Sequence, residues 1–141
     1  MSELPPFFSE HQAPPAARLL GWRYEGGDAE AGTIEVSFEA REDFLNPAGT
    51  IQGGFLAAML DDTMGPVIVL ASHGKSYAPT INLNVNFLKP VLPGRVRVKA
   101  RIVQMGKTIA YLAGELFDSA GNLAATATAS ARVIANPIGK G

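Results

Sequence analysis

Cysteine is absent from this 141-residue chain, and histidine occurs only twice. The lack of cysteine excludes disulfides, thiol nucleophiles and thiolate metal sites. His11 and His73 belong to no motif with a nucleophile and an acid, and two separate histidines make a poor metal site. The sequence also has no G-x-S-x-G and no glycine-rich phosphate loop. It therefore predicts neither a serine or cysteine hydrolase nor a metal site or a glycine-rich phosphate-binding loop.

Charge and long apolar runs are also scarce. Charged residues make up 18% of the chain, and the formal net charge is −1, so no global field favours nucleic acid or a membrane surface as a partner. The longest apolar run, residues 55–60, is far shorter than the roughly 20 residues that span a bilayer. The first residues lack the basic start and apolar core of a signal peptide. We expect a cytoplasmic protein.

Hydrophobic residues make up 47% of the sequence, which is enough for one core and leaves apolar surface for another subunit to cover. Four of the ten prolines lie in the first 15 residues, which indicates an irregular N-terminal arm. Phe7 and Phe8 predict that this arm packs against some surface and does not extend freely into solvent. We assign residues 1–16 to the arm, 17–136 to one domain and 137–141 to a C-terminal tail.

Hydrophobic periodicity predicts one long helix among strands. Residues 53–72 are apolar on nearly every side, which is typical of a buried helix, and Pro66 predicts a kink near Asp62 or a fresh turn. Alternation predicts strands at residues 22–25, 33–39, 80–88, 95–105, 109–117 and 123–133. A helix that is apolar all round needs cover on all sides. The pattern therefore favours an α+β fold with an antiparallel sheet curled around the helix.

The segment NPAGTIQGGFLAAMLDD, residues 46–62, carries the candidate chemistry. Gly53 and Gly54 begin the helix, where backbone N–H groups lack partners and the dipole is positive. Asp61 lies eight residues after Gly53, about 12 Å along the axis, which is long for one small reacting group. A second chain or a kinked helix would bring the groups together. Alternatively, Asp61 and Asp62 are solvated acids near Pro66, and the residues alone favour that interpretation.

The motif N-P-x-G-x-x-Q-G-G-x-x-x-x-x-x-D, followed by N-x-N-F-L-K-P and G-K-T, resembles the hotdog-fold acyl-CoA thioesterases. It is most similar to the phenylacetate-pathway and 4-hydroxybenzoyl-CoA thioesterase branch, and the likeness covers about residues 17–134. The resemblance implies a hotdog fold, in which a curved antiparallel sheet wraps one long central helix. It also implies a homo-oligomer, a dimer or a dimer of dimers, with active sites between subunits.

The resemblance further implies a role for each matched residue. Asp61 would be the general base or the nucleophile, and the Gly53 N–H would stabilise the oxyanion together with Gln52. Asn46 would help to place water or substrate, and Thr80 would hold the attacking water. The expected substrate is a small aromatic or a short- to medium-chain acyl-CoA, with no metal or other cofactor.

Substrate-binding positions are less sharply predicted. Gly54 would allow close approach of a ligand, and Phe44 would either border the acyl pocket or cap the core. Lys89 and Lys107 are candidates for the coenzyme A phosphates. The alternating basic residues of the strand at 95–105 are either a solvated face or a further phosphate platform.

One residue departs from the family pattern. Many relatives have histidine where this chain has Gln52, and a glutamine side chain donates a hydrogen bond but transfers no proton at neutral pH. Base chemistry then falls to Asp61, while Asp62 is expected at the helix surface or in a supporting role. The same departure keeps open a non-catalytic acyl-CoA-binding protein as the alternative. A third hypothesis is a structural oligomer or a hydratase-like enzyme, and the departure weakens the latter because the hydratase branch needs a catalytic histidine.

Overall fold

One 19-residue helix runs through the middle of the molecule, and strands surround it. The structure is a computed structural model that describes residues 4–9 and 13–137. Its helices are α1 (Pro6–Ser9), α2 (Pro15–Leu20) and α3 (Gly53–Ala71), with a 3₁₀ turn at Glu42–Phe44. Its strands are β1 (Arg23–Asp28), β2 (Thr33–Ala40), β3 (Ser76–Tyr77), β4 (Thr80–Phe87), β5 (Gly94–Met105), β6 (Ile109–Phe117), β7 (Leu123–Arg132) and β8 (Ile134–Ala135).

Six of the strands form one antiparallel sheet in the order β1-β2-β5-β6-β7-β4. The inner residues of neighbouring strands lie in register, for example Val36 opposite Val98 and Val98 opposite Leu116. β4 is an edge strand, and the short strands β3 and β8, which the sequence pattern did not predict, pair separately. The expected α+β architecture with a curved sheet around one helix is confirmed.

The core lies between α3 and the inner face of the sheet. Met59, Leu60, Val67 and Ile68 on α3 are completely buried. Gly114 lets the helix approach β6 closely, because a Cβ there would lie only 3.3 Å from the Leu60 side chain. By length and composition α3 is apolar enough to cross a membrane, contrary to our expectation that no segment is. The curved sheet packs around α3, and this burial explains the apolar character of the helix.

The structure bears on two expectations about local structure, the packing of Phe8 and the effect of Pro66. Phe8 packs on the domain as predicted, with its ring centroid 5.5 Å from that of Trp22 and 5.8 Å from that of Tyr24. Pro66 starts no fresh turn, because α3 continues through it to Ala71, whereas the alternative of a kink near Asp62 stays a prediction. The predicted arm contains α1 and the start of α2. Residues 1–3 and 10–12 of the arm, which include His11, and residues 138–141 of the tail lie outside the described residues.

Candidate active site

The N-terminus of α3 presents unpaired backbone donors. The preceding loop is fixed by hydrogen bonds from the Ile51 N–H to the Val91 oxygen (2.8 Å) and from the Gln52 N–H to the Phe44 oxygen (2.9 Å). Within the described residues, the Gly53 and Gly54 N–H groups have no hydrogen-bond acceptor, and the exposed Gln52 side chain does not cap the helix. These N–H groups lie at the positive end of the helix dipole, where they can stabilise a developing negative charge.

A cleft of about 360 Å³ opens beside these donors. Phe87 covers one side of Gly53, because a Cβ on Gly53 would lie 3.1 Å from its ring, whereas a Cβ on Gly54 would meet nothing within 4 Å. Glycine at position 53 therefore permits this close ring contact, and Gly54 faces open space. The cleft is lined by Asn46, Thr50, Ile51, Gly53, Leu56, Phe87, Leu88, Lys89, Pro90 and Val91.

Asn46 organises the loop that leads to α3. Its Oδ1 accepts hydrogen bonds from the Ala48 N–H (2.9 Å) and the Thr50 N–H (3.1 Å), and its Nδ2 donates to the Thr50 hydroxyl (3.0 Å). The carboxamide therefore shapes one wall of the cleft. Its expected role toward water or substrate stays a prediction.

The N–H groups at the start of α3 are one half of the candidate site, and Asp61 and Thr80 are the other half. The Thr80 hydroxyl donates to Asp61 Oδ1 at 2.6 Å, so the structure brings these two predicted residues together. A register shift between Thr80 and Asn82 makes this possible, because it places Thr80 opposite the buried Ala131 on the helix-facing side of the sheet. The bond leaves Asp61 Oδ2 and the lone pairs of the Thr80 oxygen available to a water molecule.

The two halves do not meet within one chain. Gly53 and Asp61 are separated by eight residues of continuous helix, which is about 12 Å along its axis. Thr80 begins β4 beside Asp61, whereas Phe87 ends β4 beside Gly53. Each chain therefore carries a carboxylate half and a donor half at opposite ends of its edge strand.

The predicted substrate-binding residues separate in the same way. Lys89 lines the cleft at Gly53, but Lys107 lies in the β5–β6 turn at the Thr80 end of the sheet, where the Val133 N–H donates to the Thr108 oxygen. Phe44 is only 3% exposed and stacks on Phe55 with ring centroids 4.1 Å apart, so its place is in the core.

The basic row of β5 lies on the sheet face that points away from α3. Arg95 pairs with Glu39 at 3.2 Å, Arg97 pairs with Glu35, and the Lys99 ammonium lies over the Phe117 ring. This arrangement agrees with a solvated, partly neutralised face.

Asp62 differs from the expected helix-surface acid. It is half-buried, and its Oδ2 is buried without a hydrogen-bond partner. Burial, and then the negative charge of Asp61, raise the pKa of Asp62 to about 7. Its backbone oxygen accepts a hydrogen bond from Trp22 Nε1 at 2.9 Å, a contact that no sequence pattern indicates.

The fold and site match a known family. The model of the Thioesterase superfamily matches residues 48–125. The chain belongs to the thioesterase superfamily. Its structure is similar to that of a phenylacetic acid degradation-related protein from Ralstonia eutropha JMP134, with a TM-score of 0.84 and 37% sequence identity over 89% of this chain and 95% of the other. The membership makes the protein a thioester hydrolase with the hotdog fold.

Two further comparisons agree with this assignment. Human acyl-coenzyme A thioesterase 13 is 26% identical over 93 residues, which are 65% of this thioesterase and 66% of the human protein. A thioesterase of Haemophilus influenzae shares the fold alone, with a TM-score of 0.77 and 19% identity over 89% of this chain and 87% of the other. Hydrolysis is thus favoured over the alternative of a non-catalytic binding protein.

The raised pKa of Asp62 predicts a pH-dependent stability. In the unfolded chain an aspartate has a pKa of about 3.9, so between about pH 4 and pH 7 only the folded state keeps the proton. The stability that Asp62 contributes is complete below pH 4 and is lost as the pH rises to 7. After allowance for partial exposure, the Asp62→Asn variant should gain about 2 kcal/mol of unfolding free energy relative to wild type between pH 4 and pH 8.

Denaturant unfolding at fixed protein concentration across this pH range measures the difference. The control is Asp43→Asn. Because Arg41 lowers the pKa of Asp43, this carboxyl group is ionised in both the folded and the unfolded state over most of this range, and the control difference should stay nearly constant. A constant difference between wild type and Asp62→Asn would contradict the assignment.

Proposed function

We propose that this thioesterase hydrolyses small aromatic or short- to medium-chain acyl-CoA to the free acid and coenzyme A. The observation that carries the proposal is the Asp61–Thr80 hydrogen bond at one end of β4, with the free N–H groups of α3 at the other. A carboxylate and an oxyanion site are the two components that thioester hydrolysis needs. The similarity to an acyl-coenzyme A thioesterase and to a phenylacetic acid degradation-related protein supports the substrate class.

The reaction begins at the thioester carbonyl carbon. Either Asp61 removes a proton from water while the water oxygen attacks, or the Asp61 carboxylate attacks first and water then hydrolyses the acyl-enzyme. The carbonyl oxygen gains negative charge, which the Gly53 N–H and the Gln52 carboxamide stabilise. The C–S bond breaks as the tetrahedral intermediate collapses, and coenzyme A leaves as the thiolate and takes up a proton.

A dimer formed along β4 would complete the site. β4 is an edge strand, and Ile81 (59% exposed), Phe87 (52%) and the adjacent Leu88 (53%) leave an apolar border uncovered. Antiparallel pairing of two β4 strands about a twofold axis sets the Thr80 end of one chain against the Phe87 end of the other. The carboxylate half of each chain then faces the donor half of its partner.

Assembly and location complete the proposal. Two such dimers would form the tetramer that the resemblance implies. A chain without cysteine suits a reducing compartment, so we infer that the enzyme acts in the cytoplasm. No step of the proposed reaction calls for a metal or another cofactor.

The proposed role of the Asp61 carboxylate can be tested by substitution. Asp61→Asn should lower the turnover of acyl-CoA by at least about 100-fold, because the amide neither removes a proton from water nor attacks the carbonyl. The fold and the oligomeric state should persist, since the amide oxygen can still accept the Thr80 hydrogen bond. The measurement is thiol release from aromatic, short-chain and medium-chain CoA esters, with Asp43→Asn as the surface control. Turnover close to that of wild type would remove Asp61 from the mechanism.

The second prediction isolates one backbone donor. Gly53→Pro removes the N–H at the first helical position, where proline is well tolerated, and Gln52 already has a backbone (φ −56°, ψ 132°) that suits a following proline. Gly53→Ala keeps the N–H and adds a Cβ against the same Phe87 ring. We expect turnover to fall about 100-fold for proline and less than about tenfold for alanine. Equal losses would assign the effect to the Phe87 contact instead.

A further inference from the structure

Pro66 leaves one carbonyl of α3 without its helical partner. In an α-helix the amide of residue 66 would donate to the oxygen of Asp62, but proline has no N–H. An interior proline therefore usually kinks or ends a helix, and a carbonyl left unpaired away from water is destabilising. Here α3 continues through Pro66 for five more residues, to Ala71.

Trp22 supplies the missing donor. Its indole Nε1–H donates to the Asp62 oxygen at 2.9 Å, across 40 residues of sequence. This side chain is the only tryptophan of the sequence, and it stands between the end of α2 and the start of β1.

The position of Trp22 is itself well defined. Its own N–H donates to the Ala17 oxygen at 3.0 Å. Gly21 precedes it in the left-handed region (φ 72°), and a Cβ on Gly21 would lie 2.9 Å from the Glu39 side chain, so the chain enters through a restricted turn. The Phe8 ring packs against the indole edge to face, with centroids 5.5 Å apart. These contacts hold the Trp22 side chain in place independently of its hydrogen bond to α3.

The carbonyl that Trp22 binds belongs to the residue directly after Asp61. Thr80 belongs to β4, and its hydroxyl oxygen lies 2.6 Å from Asp61 Oδ1. A bend of α3 at Asp62 would move the Asp61 carboxylate away from this hydroxyl group. We propose that Trp22 is a positioning residue for catalysis: its indole N–H replaces the amide that Pro66 lacks and thereby holds Asp61 in line with Thr80. This inference rests on the proposed function of Asp61.

The decisive experiment compares Trp22→Phe in two backgrounds. Trp22→Phe keeps an aromatic ring against Phe8 but loses the donor, so turnover should fall about tenfold with KM changed less than about twofold, as expected when a reacting group is misplaced. Pro66→Ala restores the helical amide and should alone leave turnover near that of wild type. In the Pro66→Ala background, Trp22→Phe should lower turnover by less than about twofold.

Tyr24→Phe is the matched control, since Tyr24 lies in the same aromatic cluster and its hydroxyl makes no hydrogen bond to α3 within the described residues. It should leave turnover unchanged. An equal loss from Trp22→Phe in both backgrounds would overturn the inference and leave Trp22 with a packing role alone.

A second measurement does not depend on activity or on any Trp22 variant. Because the chain has one tryptophan, its indole N–H signal is unambiguous in an NMR spectrum. We expect this proton to exchange slowly in wild type and at least about tenfold faster in Pro66→Ala, where a backbone amide competes for the Asp62 oxygen. Exchange at the solvent rate in wild type would overturn the inference. If wild type hydrolyses no CoA ester, the proposed function fails, while the exchange rates still decide whether Trp22 holds the helix.

Discussion

The hydrogen bond from Thr80 to Asp61 joins the edge of the sheet to the central helix, and the arrangement of the site depends on it. It directs a carboxylate toward the edge strand, where the chain presents apolar side chains that nothing in the described residues covers. The free N–H groups of Gly53 and Gly54 lie about two helical turns away. A rigid helix cannot shorten that separation, so under the proposed function a second chain would complete the site.

The acidic segment of α3 contains several features that lower the stability of the fold. Asp62 has a buried oxygen without a partner, and its neighbour Asp61 adds like-charge repulsion. Pro66 removes an amide from the same turn, and Trp22 restores a donor from a distant part of the chain. Buried polar groups without a partner are rare elsewhere and are typical of functional sites, where geometry is maintained at the expense of stability.

Local periodicity accounts for much of what the sequence predicted. The predicted helix at 53–72 and strand at 109–117 match α3 and β6 closely, because side-chain alternation and helical repeats are local properties. The strand order was not predictable, since it depends on contacts between distant segments. The side of the sheet on which Thr80 lies also escaped prediction: strict alternation would put it with Asn82, and the register shift between them reverses it. The burial of Asp62 and its contact with Trp22, which lies 40 residues earlier in the sequence, depend on tertiary packing that no local pattern predicts.

Subunit complementation tests the shared site most directly. Asp61→Asn lacks the carboxylate half and Gly53→Pro lacks the donor half, so each variant alone should be nearly inactive toward CoA esters. When the two are co-expressed at equal levels, random assembly should leave about a quarter of the interfacial sites with both halves intact. The mixed protein should therefore recover about a quarter of wild-type turnover. A mixture no more active than its separate components would contradict it, because each site would then lie within one chain.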